Sequence, residues 1–90
     1  MPVTEAAEIT VLIADDHEVV REGLRLSLLR SPRIRVVGEA SDGETAVALV
    51  ERRRPDVVIM DLRMPEMDGI EATEEILRLV PDAKVLVFTA

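Results

Sequence analysis

The sequence predicts an α/β domain whose core is a doubly wound parallel sheet, and three of its features carry that expectation. Four short apolar runs alternate with three longer amphipathic stretches, each amphipathic stretch is closed by a proline, and two of the apolar runs end directly in aspartate. Strand and helix units in strict alternation pack as right-handed crossovers on a mostly parallel sheet.

Met1 to Glu8 holds Pro2, two glutamates and no periodicity, and is read as a short flexible tail. Ile9 to Ala14 is almost wholly apolar and β-branched, which suits a strand buried on both faces, and it stops at Asp15 and Asp16. Val20, Leu24 and Leu28 then recur at helical spacing, with Glu18, Arg21, Glu22 and Arg25 on other faces, so a helix of about three turns follows until Ser31-Pro32. Ile34 to Ala40 reads as a second strand. It is less uniformly apolar than the first and so belongs at a sheet edge.

Ser41-Asp42-Gly43 is a turn whose serine or aspartate can cap the next helix. That helix presents Ala46, Val47, Leu49 and Val50, places Arg52, Arg53 and Arg54 in its last turn beside the free carbonyls, and ends at Pro55. Val57 to Met60, ending in Asp61, repeats the design of the first strand. A turn from Leu62 to Glu66 leads to a third helix carrying Ile70, Thr73, Ile76, Leu77 and Val80 and closed by Pro81. Lys84 opens the last strand, Val85 to Phe88, giving the order βαβαβαβ.

Composition narrows the function. Ninety residues, 48% hydrophobic and 32% charged, make one folded domain and no more. The absence of cysteine removes disulfides, thiol catalysis and cysteine-bound zinc, and a single histidine leaves little for transition metals, so a hard, oxygen-bound cation is the expected metal. A net charge of -7, with Phe88 as the one aromatic residue, argues against direct contact with nucleic acid or anionic lipid. No apolar run is long enough for a membrane span and no basic signal segment opens the chain, so a cytoplasmic location is expected.

The chemistry lies in three carboxylates. Asp15 and Asp16 follow the first strand and Asp61 closes the third, and in open α/β sheets ligands bind beyond the carboxyl ends of strands where the strand order reverses. If those strands are neighbours, the carboxylates crowd one pocket and need a cation, for which magnesium is suited. A carboxylate beside magnesium can also attack a phosphoryl group. Solvated loop positions or helix caps are the plainer reading of any one such aspartate, but two strands ending this way favour a site.

The residues Val11-Leu12-Ile13-Ala14-Asp15-Asp16-His17, the segment from Val57 through Asp61 to Gly69, and Val85-Leu86-Val87-Phe88-Thr89-Ala90 resemble the receiver domain of two-component response regulators. The likeness is greatest to the NarL/FixJ (LuxR-type) transcriptional regulators and runs from Ile9 to Ala90. It implies the CheY-like, flavodoxin-type sheet of order 2-1-3-4-5. Asp61 would be the phosphoacceptor for a sensor histidine kinase, and Asp16, Asp61 and the backbone carbonyl of Arg63 would hold Mg2+, with Asp15 acting indirectly. Thr89 would be the switch hydroxyl and Ala90 its small neighbour. Such a domain accepts a phosphoryl group on its own aspartate and is not a turnover enzyme. It controls dimerisation and an attached DNA-binding domain.

Other residues read as structural. His17 is expected to be exposed or capping, Pro65 and Gly69 to shape the loop that presents Arg63, Arg52 to Arg54 to be a solvated helix end, and Met60, Met64 and Met67 to be packing and loop residues.

Members of this family have a fifth strand, with a lysine after it, and two further helices. This sequence ends with its fourth strand and is expected to lack the last α-β-α portion; residues 9–90 are then an incomplete receiver domain, and its one lysine, Lys84, lies at the wrong end of its strand. The fourth strand would be an apolar edge, so the chain is expected to be a fragment, or to be completed as a homodimer or by another strand-completing chain. Two other functions compete: a phosphorylation-incompetent module for oligomerisation or partner binding, and, further behind, a magnesium-dependent phosphatase with an aspartyl nucleophile.

Overall fold

The computed structural model describes residues 8–89. Most of the expected tail, Met1 to Ala7, and the terminal Ala90 lie outside the described residues, while Glu8 is exposed and precedes the first strand. Seven elements follow: β1 Ile9–Ala14, α1 Glu18–Leu28, β2 Ile34–Ala40, α2 Gly43–Arg53, β3 Val57–Asp61, α3 Gly69–Leu79 and β4 Lys84–Phe88. The four strands are parallel and lie in the order β2-β1-β3-β4. The doubly wound architecture predicted from alternation is therefore the one observed, with β2 at an edge as its mixed composition required.

Strand direction and connection fix where the helices go. The chain moves one way across the sheet from β1 to β2 and the other way from β2 to β3 to β4, so right-handed crossovers put α1 on one face and α2 with α3 on the other. The core lies on the second face. Leu12 and Ala14 from β1, Val58 and Met60 from β3, Ala46 and Val50 from α2, and Ala72 and Ile76 from α3 are all buried there in one cluster. The α1 face is thinner, with Val11 and Ile13 buried beneath a helix that has no buried residue of its own.

The structure corrects three local expectations. First, Arg54 is not in the last turn of α2 but follows it as the C-cap, in left-handed geometry at φ 49 and ψ 56. Its backbone N–H donates to the Val50 carbonyl and its Nε to the Glu51 carbonyl, closing the helix just before Pro55. Second, α3 does not bury the stripe its sequence suggests. Ile76 and Val80 are inside, but Ile70 and Leu77 are exposed, and the small residues Gly69 and Ala72 take the core positions because the helix lies close to the sheet. Third, β3 includes Asp61 itself, whose register partner on β4 is Phe88. The β1–β2 ladder also contains an irregularity, passing from Val11↔Val36 to Leu12↔Gly38, so that Val37 is skipped.

At the N-terminal end of the sheet the two central strands are clasped by one reciprocal pair. The Asp56 carboxylate accepts from the Thr10 backbone N–H at 2.8 Å and from its hydroxyl at 3.0 Å, and the Asp56 N–H donates back to the Thr10 carbonyl at 2.9 Å. These bonds, the backbone one first, hold the Asp56 carboxyl below its ordinary value of 3.8. A depressed carboxyl stabilises the fold fully above its unfolded value and loses that contribution as pH falls through the folded one. Thermal unfolding of Asp56→Asn is therefore expected to show a lower Tm than the unsubstituted chain at neutral pH, with the gap narrowing below about pH 4. A gap constant down to pH of about 2.5 would show that the charge contributes nothing.

Candidate functional site: an acidic pocket at the switch point

Because Ala14 pairs with Met60, the next residues along the two central strands are Asp15 and Asp61. They sit where the sheet order reverses, since the chain leaves β1 toward one edge and β3 toward the other, opening a crevice between the two connections. Asp15 is fully buried and Asp61 is 1% exposed, whereas Asp16 and His17 are open to solvent. One ligand-capable atom from each of Asp15, Asp16, His17 and Asp61 falls in a group whose members all lie within 4.8 Å of one another. The three predicted carboxylates are brought together as their positions required.

Local bonds set the shape of the pocket. The His17 N–H donates to Asp15 Oδ1 at 2.7 Å, and the His17 ring places Nδ1 2.9 Å from the same oxygen and 3.1 Å from Asp16 Oδ1. The hydrogen bond to Asp15, and then the charge of Asp16, raise the His17 pKa above its usual 6.5. His17 is exposed, as expected, and stands at the N-cap of α1, but its side chain makes no capping bond because the ring is turned to the carboxylates. Asp61 Oδ1 accepts from the Arg63 N–H at 3.2 Å.

Asp15 Oδ2 has no hydrogen-bond partner among the described residues although it is buried. A buried carboxylate oxygen without a donor is costly unless a cation compensates it, and an all-oxygen set from three carboxylates is the donor chemistry that magnesium takes. The residues present therefore fit a hard divalent ion.

Two further residues hold the pocket and were not recognised from the sequence. Arg21 of α1 donates through Nη1 to the Asp15 carbonyl at 2.6 Å, and it is held in turn by Glu39 of β2 at 3.3 Å, which also pairs with Arg25 at 2.8 Å. Nothing in the spacing of Arg21 and Glu39 marks them, because the pairing depends on β2 lying beside β1.

The loop after β3 is fixed from both sides. Asp68 caps α3 by accepting from the Ile70 and Glu71 N–H groups, and Glu71 returns a bond to the Asp68 N–H, a reciprocal capping box. This Asp-x-x-Glu pattern was readable in the sequence and was missed. Glu66 adopts φ 66 to turn the loop. Gly69 and Gly43 allow two close approaches: a Cβ on Gly69 would lie 2.3 Å from the Asp61 carbonyl oxygen, and one on Gly43 would lie 2.4 Å from that of Met67. Met60 and Met64 are buried and Met67 packs at the margin of the core, in keeping with a packing role. Thr89 is exposed and directly follows Phe88, the β4 partner of Asp61.

Fold and pocket together define a doubly wound α/β domain with an acidic, cation-competent site at its topological switch point. The chain belongs to the response regulator receiver domain family, whose profile matches residues 11–90. It is 52% identical over 82 residues to the transcriptional regulatory protein LiaR of Bacillus subtilis and 45% identical over 82 residues to the transcriptional regulatory protein DegU of Brevibacillus brevis. Those alignments cover 91% of this chain but 39% and 35% of the two relatives, so the chain spans well under half of their length. Among solved structures, a LuxR-family two-component response regulator from Aurantimonas sp. SI85-9A1 superposes with a TM-score of 0.88 at 41% identity, covering 92% of this chain and 59% of that one. The receiver domain of the response regulator NarL from Mycobacterium tuberculosis gives 0.86 at 37%, covering 94% and 68%. The resemblance to NarL/FixJ (LuxR-type) regulators is thereby borne out. No helix among the described residues is long and apolar enough to cross a membrane.

Proposed function

We propose that Asp61 accepts a phosphoryl group from a sensor histidine kinase in the cytoplasm, and that this switches an attached DNA-binding domain through dimerisation. The observation that carries the reading is the pair of buried carboxylates at the ends of adjacent central strands, one of them with an oxygen that has no partner among the described residues. Asp16, Asp61 and the Arg63 carbonyl would hold Mg2+, with Asp15 acting indirectly. Magnesium when bound neutralises the crowded carboxylates and the developing charge on the transferred group. In the transfer, an Asp61 carboxylate oxygen forms a bond to phosphorus as the donor's P–N bond breaks. The electron pair leaves with the donor imidazole, which takes up a proton from solvent. The Arg63 N–H fixes the Asp61 carboxylate by its bond to Oδ1. Thr89, which follows the strand partner of Asp61, would be the switch hydroxyl that turns toward the new phosphoryl oxygens. An acidic segment of net charge -7 leaves DNA contact to another part of the protein.

Incubation with Mg2+ and a small phosphodonor, followed by intact-mass measurement, is expected to show one phosphoryl adduct that forms only with the metal present. An adduct that forms equally in excess chelator would contradict the reading. Mg2+ at about a hundred times its dissociation constant should also stabilise the fold by about 2.7 kcal/mol, seen as a rise in Tm that chelation reverses. A second reading, partner binding through the sheet edge without phosphorylation, rests on β4, where Leu86 is 62% and Val87 46% exposed. Absence of the adduct together with concentration-dependent association would favour it.

A further inference from the structure

We infer that His17 is a fourth ligand of the acidic pocket, so that the site takes a nitrogen-preferring divalent ion such as Ni2+, Cu2+ or Zn2+ in competition with Mg2+. This goes beyond the magnesium reading and rests on it only in treating the pocket as a cation site. A lone histidine in the sequence gave little reason to expect such an ion, because nothing there shows which way the ring turns.

The geometry points to it in three ways. Asp15, Asp16 and His17 are consecutive, yet each brings a ligand-capable atom into one group with Asp61, all within 4.8 Å of one another. Neighbouring ligands of an octahedral ion with bonds of about 2.1 Å lie about 3.0 Å apart, and His17 Nδ1 stands 2.9 and 3.1 Å from the two aspartate oxygens. The same separations serve a hydrogen bond, so an ion can replace the imidazole proton with the two aspartate oxygens drawn in by small side-chain adjustments. Independently of these contacts, Asp15 Oδ2 is buried and has no donor among the described residues. The ring is also free to commit itself, since His17 makes no capping bond for α1 and its side chain is 59% exposed.

Ligand chemistry sets the preference. Magnesium favours oxygen and retains several waters, so an added imidazole contributes little to its affinity. Nickel, copper and zinc gain from imidazole, and their affinities for mixed nitrogen and oxygen sites exceed those of the harder ions. Because Asp16 and Asp61 would be shared, such an ion excludes Mg2+ and thereby opposes the activity proposed for Asp61.

The test uses the chain without a histidine tag. It has one histidine and no cysteine, so every imidazole signal belongs to His17. Calorimetric titration with Ni2+ and with Mg2+ is made on the unsubstituted chain and on His17→Ala, and pulsed EPR is recorded with Cu2+. Ni2+ affinity is expected to fall about tenfold or more in His17→Ala, and far more than Mg2+ affinity changes. The Cu2+ spectrum should show imidazole nitrogen modulation that the variant lacks. Equal Ni2+ affinity in the two proteins, a parallel loss of both ions, or a Cu2+ spectrum without imidazole nitrogen would overturn the inference. Binding of Ni2+ with the imidazole signal but of no Mg2+ would support it and instead overturn the magnesium reading. Circular dichroism of His17→Ala, at an exposed position, verifies that the variant is folded; if it is not, the Cu2+ spectrum of the unsubstituted chain decides alone.

Discussion

Asp61→Asn is expected to reduce phosphoryl uptake from a small phosphodonor by about a hundredfold or more while leaving the protein folded. The amide has nearly the shape of the carboxylate, and its oxygen can still accept from the Arg63 N–H that Asp61 Oδ1 engages. What it lacks is the charged oxygen that bonds to phosphorus. The substitution also removes one of three carboxylates that lie together, two of them buried, so the metal-free fold should lose nothing and gain up to about 1 kcal/mol. Asp16→Asn separates the two roles. It weakens metal binding but keeps the acceptor, so uptake should slow at low Mg2+ and recover as Mg2+ is raised. Intact-mass time courses on both variants measure this, and uptake in Asp61→Asn at the unsubstituted rate would remove Asp61 from the role.

Gly69→Ala should be the most damaging single-methyl change, at about 3 kcal/mol of stability by urea unfolding. Its new Cβ would stand 2.3 Å from the Asp61 carbonyl oxygen and 2.8 Å from the Leu62 Cα. Both are main-chain atoms, so no rotamer change relieves the contact. Either α3 lifts from the sheet, opening the packing of Ala72 and Ile76, or the end of β3 moves and takes Asp61 with it. Slower phosphoryl uptake should accompany the loss. Gly23→Ala is the comparison: nothing lies within 4 Å of its Cβ position on exposed α1, and the change should stabilise by up to about 1 kcal/mol. If both substitutions have the same effect, the close approach at Gly69 does not govern stability.

These contrasts show which parts of the molecule the sequence could disclose. Ile9–Ala14 was legible because burial in the sheet centre leaves an almost uninterrupted apolar run, and Ile34–Ala40 because its Ile34, Val36 and Val37 still mark an edge strand between two turns. The site was legible because two apolar runs, not one, end in aspartate, which loop or capping positions alone explain less readily. The core face of α3 was not, because its contact with the sheet is made by Gly69 and Ala72, which carry too little side chain to register against the larger but exposed Ile70 and Leu77. Arg21 and Glu39 were missed for another reason: their pairing exists only once β2 lies beside β1. The Asp68 and Glu71 capping box lay in view in a segment read only as loop.

The direction of the helices has a consequence for the field around the pocket of so acidic a protein. In a parallel α/β chain every helix starts where a strand has just ended, so α1, α2 and α3 all begin, at Glu18, Gly43 and Gly69, on the side of the sheet that carries Asp15 and Asp61. The first turns of α2 and α3 are capped by Asp42 and Asp68, whereas α1 has no side-chain cap and leaves its N–H groups, equivalent to up to roughly half a positive charge, without one. The start of α1, directly after Asp15, Asp16 and His17, thus adds a positive field beside the pocket that composition does not record. The net charge of -7 counts side chains alone, whereas an approaching ion also senses the peptide backbone.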